Sequence, residues 1–143
     1  MSFILDTNAL SEPQRPRPDV AYMAWLDEQI PLHLYTSVLS IGEVRHGAMS
    51  LPPGARRAAI EAWLQRALTA FGARILVIDV HVAETWAAVM KAHRQQRLTI
   101  SAVDELIAAT ALVHDLTVVT RNVRHFEPSG CKLVCPWAER CEA

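Results

Sequence analysis

The sequence predicts an α/β fold, with a short, mostly parallel central sheet flanked by helices on both sides. Three observations carry this. Short apolar runs, Phe3-Ile4-Leu5, Ile75 to Ile78 and Thr117 to Val119, recur along the chain with helical segments between them. Those segments repeat their apolar residues at intervals of three and four, the period of a helix with one buried face. The first run ends abruptly in Asp6-Thr7-Asn8, and open α/β sheets bind ligands outside the carboxyl ends of their strands.

In chain order, Phe3 to Leu5 is the first strand. Leu10 to Asp19 carries Pro13, Pro16 and Pro18 with Arg15 and Arg17. Proline blocks helix continuation, so this stretch is expected to be a loop, either a solvated linker or an arginine-bearing flap near the Asp6 tip. Val20 to Gln29 reads as a helix, on the spacing of Met23, Leu26 and Ile30. Leu32 to Tyr35 is the second strand expected, and Thr36-Ser37 offers an N-cap for a helix through Met49 that Pro52-Pro53-Gly54 closes off. Ile60, Trp63, Leu64, Ala67, Leu68 and Phe71 line one helix face, and Gly72 stops that helix.

Ile75 to Ile78 is continuously apolar, as expected for a strand buried on both faces. Val82, Trp86, Val89, Met90 and His93 mark the stripe of the next helix. Ser101 opens another through His114, whose Ala108, Ala109 and Ala111 allow close packing. Thr117 to Val119 is a third buried strand, and Lys132 to Val134 a last edge strand. There is no internal repeat and no low-complexity segment.

At 143 residues the chain is expected to be one domain over residues 1–143, large enough for a substantial core. Its net charge of −1 supplies no general basic footprint. A nucleic-acid partner would have to be drawn by a local patch or a bound metal. No stretch approaches the ~18 apolar residues of a membrane span, and the N-terminus enters a strand without the pattern of a signal peptide. Cys131, Cys135 and Cys141 lack a nearby fourth ligand for zinc and read as reduced thiols of a cytoplasmic protein.

Four places carry candidate chemistry. Asp6 sits at a strand tip, though Asp-Thr-Asn could simply cap the next helix. Ser40-x-x-Glu43 matches a capping box, but if Ser37 is the true cap, Glu43 lies too deep in the helix to serve as one. Ser101-x-x-Asp104 has the same capping alternative, ahead of an almost wholly apolar helix. Thr120-Arg121-Asn122-Val123-Arg124-His125-Phe126 brings a hydroxyl, an amide and two guanidinium groups to another strand end. Three carboxylates brought together repel unless a cation joins them. Oxygen donors suit Mg²⁺ or Mn²⁺, ions that support phosphodiester cleavage.

Ile4-Leu5-Asp6-Thr7-Asn8, Ser37 to Glu43, Asp104 to Ala111 and Val119-Thr120-Arg121-Asn122 together resemble the successive motifs of PIN-domain proteins. More narrowly they resemble the VapC and FitB type of toxin–antitoxin ribonucleases. The likeness covers essentially the whole chain, and Cys135-Pro136-Trp137 is similar to the asparagine-proline-tryptophan ending of that group. The resemblance implies a metal-dependent endoribonuclease. Asp6, Glu43 and Asp104 match its acidic ligands for Mg²⁺ or Mn²⁺, and Thr7 and Asn122 match supporting positions. It further implies an RNA substrate, a cognate antitoxin that holds the toxin inactive, contact with DNA only through that antitoxin, and a homodimer.

One departure stands out: His125 occupies the place of a fourth acid common in relatives, just before Phe126. Histidine is an acceptable Mn²⁺ ligand and a poor one for Mg²⁺, and it could equally carry a proton, contact phosphate or have no role. It keeps open a second reading, a catalytically weak PIN domain that mainly binds its antitoxin. A phosphatase of the aspartyl-phosphate type is disfavoured, because Asn8 stands where that chemistry wants a second acid. Arg121 and Arg124, with Arg15, Arg17 and Arg45, are candidate RNA or antitoxin contacts.

Overall fold

The computed structural model describes residues 1–138 and 141. Strand β1 (Phe3–Leu5) forms the middle of a five-stranded sheet, with β2 (Leu34–Ser37) and β4 (Thr117–Val119) on either side. Beyond them lie β3 (Ile75–Leu76) and β5 (Lys132–Val134), and every pairing is parallel. Phe3 aligns with Leu34 and Thr117, and Leu5 with Thr36 and Val119. The three central strands therefore end together. The chain builds outward from β1 to β2 and β3, then crosses to β4 and β5. That reversal leaves a crevice between the carboxyl ends of β1 and β4, where such sheets take their ligands.

The helices are α1 (Thr7–Ser11), α2 (Val20–Asp27), α3 (Val38–Met49), α4 (Ala55–Phe71), α5 (Val80–Gln95), α6 (Ala102–His114) and α7 (Val123–Phe126). The two-residue alternation of a strand divides the core between the two sheet faces. Phe3, Leu5 and Val119 pack with Leu10, Tyr22, Val44 and Leu64 on the α1–α4 side. Ile4 and Val118 pack with Val82, Val89, Ile107 and Phe126 on the α5–α7 side. The buried alanines Ala108, Ala109 and Ala111 let α6 lie close to its neighbours in that second core, including α5, its most extensive helix contact.

Several boundaries differ from the sequence-based expectation. Leu10 to Asp19 is not all loop: α1 runs to Ser11 and a 3₁₀ turn spans Glu12–Gln14. Asp6 caps α1 by accepting from the Ala9 N–H, and Pro13 falls in the first positions of the turn, where no N–H is required. The second strand lies two residues later than Leu32 to Tyr35, because Pro31 opens a 3₁₀ turn through His33. Val77 is exposed and unpaired with any strand, so the Ile75 to Ile78 run yields a two-residue edge strand rather than one buried on both faces.

The thiol expectation is corrected too. Cys135 and Cys141 stand as a disulfide pair with Cα atoms 6.1 Å apart, inside the usual range, and Cys131 alone is free among the described residues. No helix among the described residues is long and apolar enough to cross a membrane.

Candidate active site

Asp6 extends from the end of β1 into the crevice, and its backbone N–H donates to the Val119 carbonyl at 3.2 Å. On the other flank the Thr36 hydroxyl donates to the Leu5 carbonyl at 3.1 Å. The Asp6 main chain is thus clamped between β2 and β4. Its side chain is 3 % exposed, and Oδ1 accepts from the Ala9 N–H at 2.9 Å. The capping role does not exclude a site role, since the carboxylate is shared between the Ala9 N–H and the Thr120 side chain. Burial pushes the carboxyl up to about 6, the hydrogen bonds from Thr120 and Ala9 oppose this, and the charges of Asp104 and Glu43 add to it. A buried carboxylate that feels two other carboxylates needs a counter-charge.

Glu43 lies in the second turn of α3, whose cap is Ser37: the Ser37 hydroxyl accepts from Leu39 N at 3.1 Å. Glu43 is free of that duty. Its Oε1 instead accepts a short hydrogen bond from the Thr7 hydroxyl, while Ser40 Oγ lies 3.2 Å from the same Thr7 oxygen. A hydroxyl has one proton to give, so Thr7 donates to the carboxylate and accepts from Ser40. Thr7 thereby ties the residue after Asp6 to the helix that carries Glu43.

Asp104 stands in the first turn of α6, where Ser101 is the cap and accepts from Asp104 N at 3.2 Å. The Asp104 carboxylate turns away from that helix end, with Oδ2 3.0 Å from His125 Nδ1. His125 is held in turn through its main chain: its carbonyl lies 2.8 Å from Nε2 of His93, a ring 1 % exposed. His93 Nδ1 meets Glu105 Oε2 at 2.9 Å.

Asn122 follows β4 and donates its backbone N–H to the Thr120 hydroxyl at 2.9 Å. Asn122 and Arg121 line a cleft that also includes Asn8, Glu12, Arg15 and Trp137. Arg124 is exposed on α7, and neither it, Arg17 nor Arg45 lines this cleft. Sequence reasoning gave no role to Glu12, and took Ser40 only as a possible cap and Thr120 only as a hydroxyl at a strand end. The Thr120 position was visible in its motif; Glu12, inside a proline-rich stretch, gave no local signal.

An all-oxygen donor set of Asp6, Glu43 and Asp104 fits a hard divalent cation. Among the described residues, however, no group of three His, Cys, Asp or Glu side chains is positioned to hold a metal ion as the chain stands. Glu43 is turned to Thr7 and Asp104 to His125, so closing on a cation requires both to share or release those partners.

The PIN domain profile matches residues 3–128. A VapC ribonuclease Y4jK of Sinorhizobium fredii is 35 % identical over 135 residues, covering 94 % of this chain and 96 % of its own. Toxin FitB of Neisseria gonorrhoeae is 36 % identical over the same length, covering 94 % and 97 %. A solved structure of FitAB bound to an IR36 DNA fragment superposes with a TM-score of 0.89 at 33 % identity, over 99 % of both chains. With a parallel five-stranded sheet, an acid at the tip of its central strand and this match over most of its length, the chain belongs to the PIN-domain family.

Proposed function

We propose that this chain is the toxin of a toxin–antitoxin pair and a Mg²⁺- or Mn²⁺-dependent endoribonuclease. The observation that supports it best is Asp6 itself, a buried strand-tip carboxylate whose affinity for a proton is raised by burial and by Asp104 and Glu43. A site that strains to hold negative charge favours a cation. The names of the relatives, a VapC ribonuclease and a FitB toxin, point the same way.

In this reading Asp6, Glu43 and Asp104 hold the metal, which supplies positive charge and Lewis acidity at the scissile phosphate. Thr7 orients Glu43, and His125 orients Asp104. The Asn122 amide contacts the reacting strand, and Arg121 and Arg124 contact its phosphates. The bonds from the Ala9 N–H and the Thr120 side chain fix the orientation of the Asp6 carboxylate.

A cognate antitoxin is the expected partner, with DNA bound only through it; the FitAB structure named above is of a complex bound to DNA. An apolar groove lined by Leu10, Leu26, Trp63 and Phe71, and flanked by Arg66 and Arg74, suits an apolar antitoxin segment bearing acidic residues. The protein is expected to act in the cytoplasm as a homodimer. The engagement of Glu43 by Thr7 and of Asp104 by His125 favours one alternative, a weak enzyme that serves chiefly as an antitoxin-binding module.

Cleavage of single-stranded RNA in Mg²⁺, in Mn²⁺ and in chelator, beside an Asp6→Asn variant, separates the two. The enzyme reading expects metal-dependent cleavage that the variant loses by at least a hundredfold. Equal residual activity in both proteins contradicts it.

A further inference from the structure

The cleft on the Arg15 side of the acidic cluster has a volume of about 550 Å³, enough for a small organic group, and its lining is predominantly polar. Asn8 and Asn122, just past β1 and β4, connect it to the ends of the strands that carry the acids. Its far side is a built assembly of charged groups. Glu12 is 2 % exposed and uses both carboxylate oxygens: Oε1 accepts from Trp137 Nε1 at 2.8 Å, and Oε2 lies 3.3 Å from Arg15 Nη1. Trp137 is stacked on Tyr22 with ring centroids 4.4 Å apart, and the Arg121 guanidinium lies 5.6 Å from the Trp137 ring centroid.

Two arginines therefore border the cleft, each steered by a fixed group. Glu12 aims Arg15 through one of its nitrogens, and Trp137 supports Arg121 by its ring face. The buried carboxylate balances one guanidinium, and the second remains as surplus positive charge. This is the local patch that a chain of net charge −1 needs in order to attract a polyanion. Nothing in the acid cluster requires the arrangement, because the carboxylates face Thr7, Ala9 and His125. The carboxamides of Asn8 and Asn122 each offer donor and acceptor, the pairing needed to read the edge of an unstacked base.

We propose that this cleft is a nucleotide subsite for single-stranded RNA. It takes the nucleotide next to the scissile phosphate, with that nucleotide's phosphate on Arg15 and Arg121 and its base within reach of Asn8 and Asn122. The assignment rests on the ribonuclease reading above. It sets the cleft apart from the apolar groove, whose lining suits a protein segment.

The test is binding rather than turnover. In the Asp6→Asn background, where the strand stays intact, a fluorescein-labelled RNA octamer of randomised sequence is titrated at several salt concentrations and followed by anisotropy. Arg15→Ala and Arg121→Ala are each expected to weaken binding about tenfold. Each is also expected to flatten the slope of log affinity against log salt by about 0.7, the contribution of one phosphate of a single strand. Arg94→Ala, at the end of α5 on the other side of the sheet, is expected to change neither. Both cleft arginines are partly or fully exposed, and Glu12 keeps its bond from Trp137 when Arg15 is removed.

Unchanged affinity and slope in both cleft variants, with the parent still binding RNA, overturns the subsite and leaves the ribonuclease reading standing. A parent that binds no RNA overturns both. If an octaglutamate peptide displaces the RNA at a concentration below the RNA's own dissociation constant, the cleft belongs to an acidic protein segment and the proposal falls.

Discussion

His93 holds the main chain of His125 in place. A carbonyl oxygen can only accept, so the 2.8 Å contact requires a proton on His93 Nε2. Nδ1 lies 2.9 Å from Glu105 Oε2. Both ring nitrogens are spent on fixing the position of α7 relative to α6, and so the position of His125 against Asp104.

Replacing His93 with phenylalanine keeps a ring but strands two partners, the His125 carbonyl and the Glu105 carboxylate. The expected loss is about 2–4 kcal/mol of unfolding free energy. His93→Gln, which retains a donor for the carbonyl, is expected to lose less than half as much. Urea melts of the two variants check this, and equal losses would show that packing rather than hydrogen bonding sets the role of His93.

Asp6 gives a prediction whose sign is opposite to that of an ordinary surface acid. Burial holds its folded-state value at about 6, above the ordinary carboxyl value of 3.8. Between those values the folded chain binds more protons than the unfolded chain, so stability falls as pH rises through that window. Above it, the charged carboxylate costs the metal-free protein about 3 kcal/mol. Asp6→Asn removes the charge and keeps an oxygen for the Ala9 N–H. In chelator its Tm is expected to exceed that of the parent by roughly 5–10 °C at pH 8 and to match it near pH 4. A lower Tm at pH 8 would mean that Asp6 is not strained by its surroundings.

Thr7 tests the support of Glu43. Thr7→Val preserves shape and removes the hydroxyl that the carboxylate uses. If Glu43 must be oriented, kcat is expected to fall about tenfold with KM nearly unchanged. Steady-state cleavage of a short RNA measures it. A rise in KM alone would place Thr7 among the groups that bind the strand.

Much of this was legible in the sequence for a physical reason: each strand and each helix carries its own period. Asp6, Glu43 and Asp104 stood out because each acid interrupts or opens an apolar element, and the cap at Ser37 freed Glu43 as its depth in the helix implied. Composition could not separate an edge strand from a central one, so the apolar Val77 and Ile78 overstated β3. Contact between distant residues leaves no local trace. Trp137 meets Glu12 across 125 positions, and only folding reveals that a residue in a proline-rich stretch is the buried partner of the chain's last tryptophan.

If Asp6, Glu43 and Asp104 together hold a divalent cation, as proposed, the metal-free protein takes up Mn²⁺. Titration of Mn²⁺ into the metal-free protein, followed by the loss of its free electron paramagnetic resonance signal, tests it without any substrate. Saturable binding is expected at pH 7.5, weakened tenfold or more in each of Asp6→Asn, Glu43→Gln and Asp104→Asn, and weakened in the parent as pH falls through 6. Binding that is absent from the parent, or unchanged in all three variants, would contradict it.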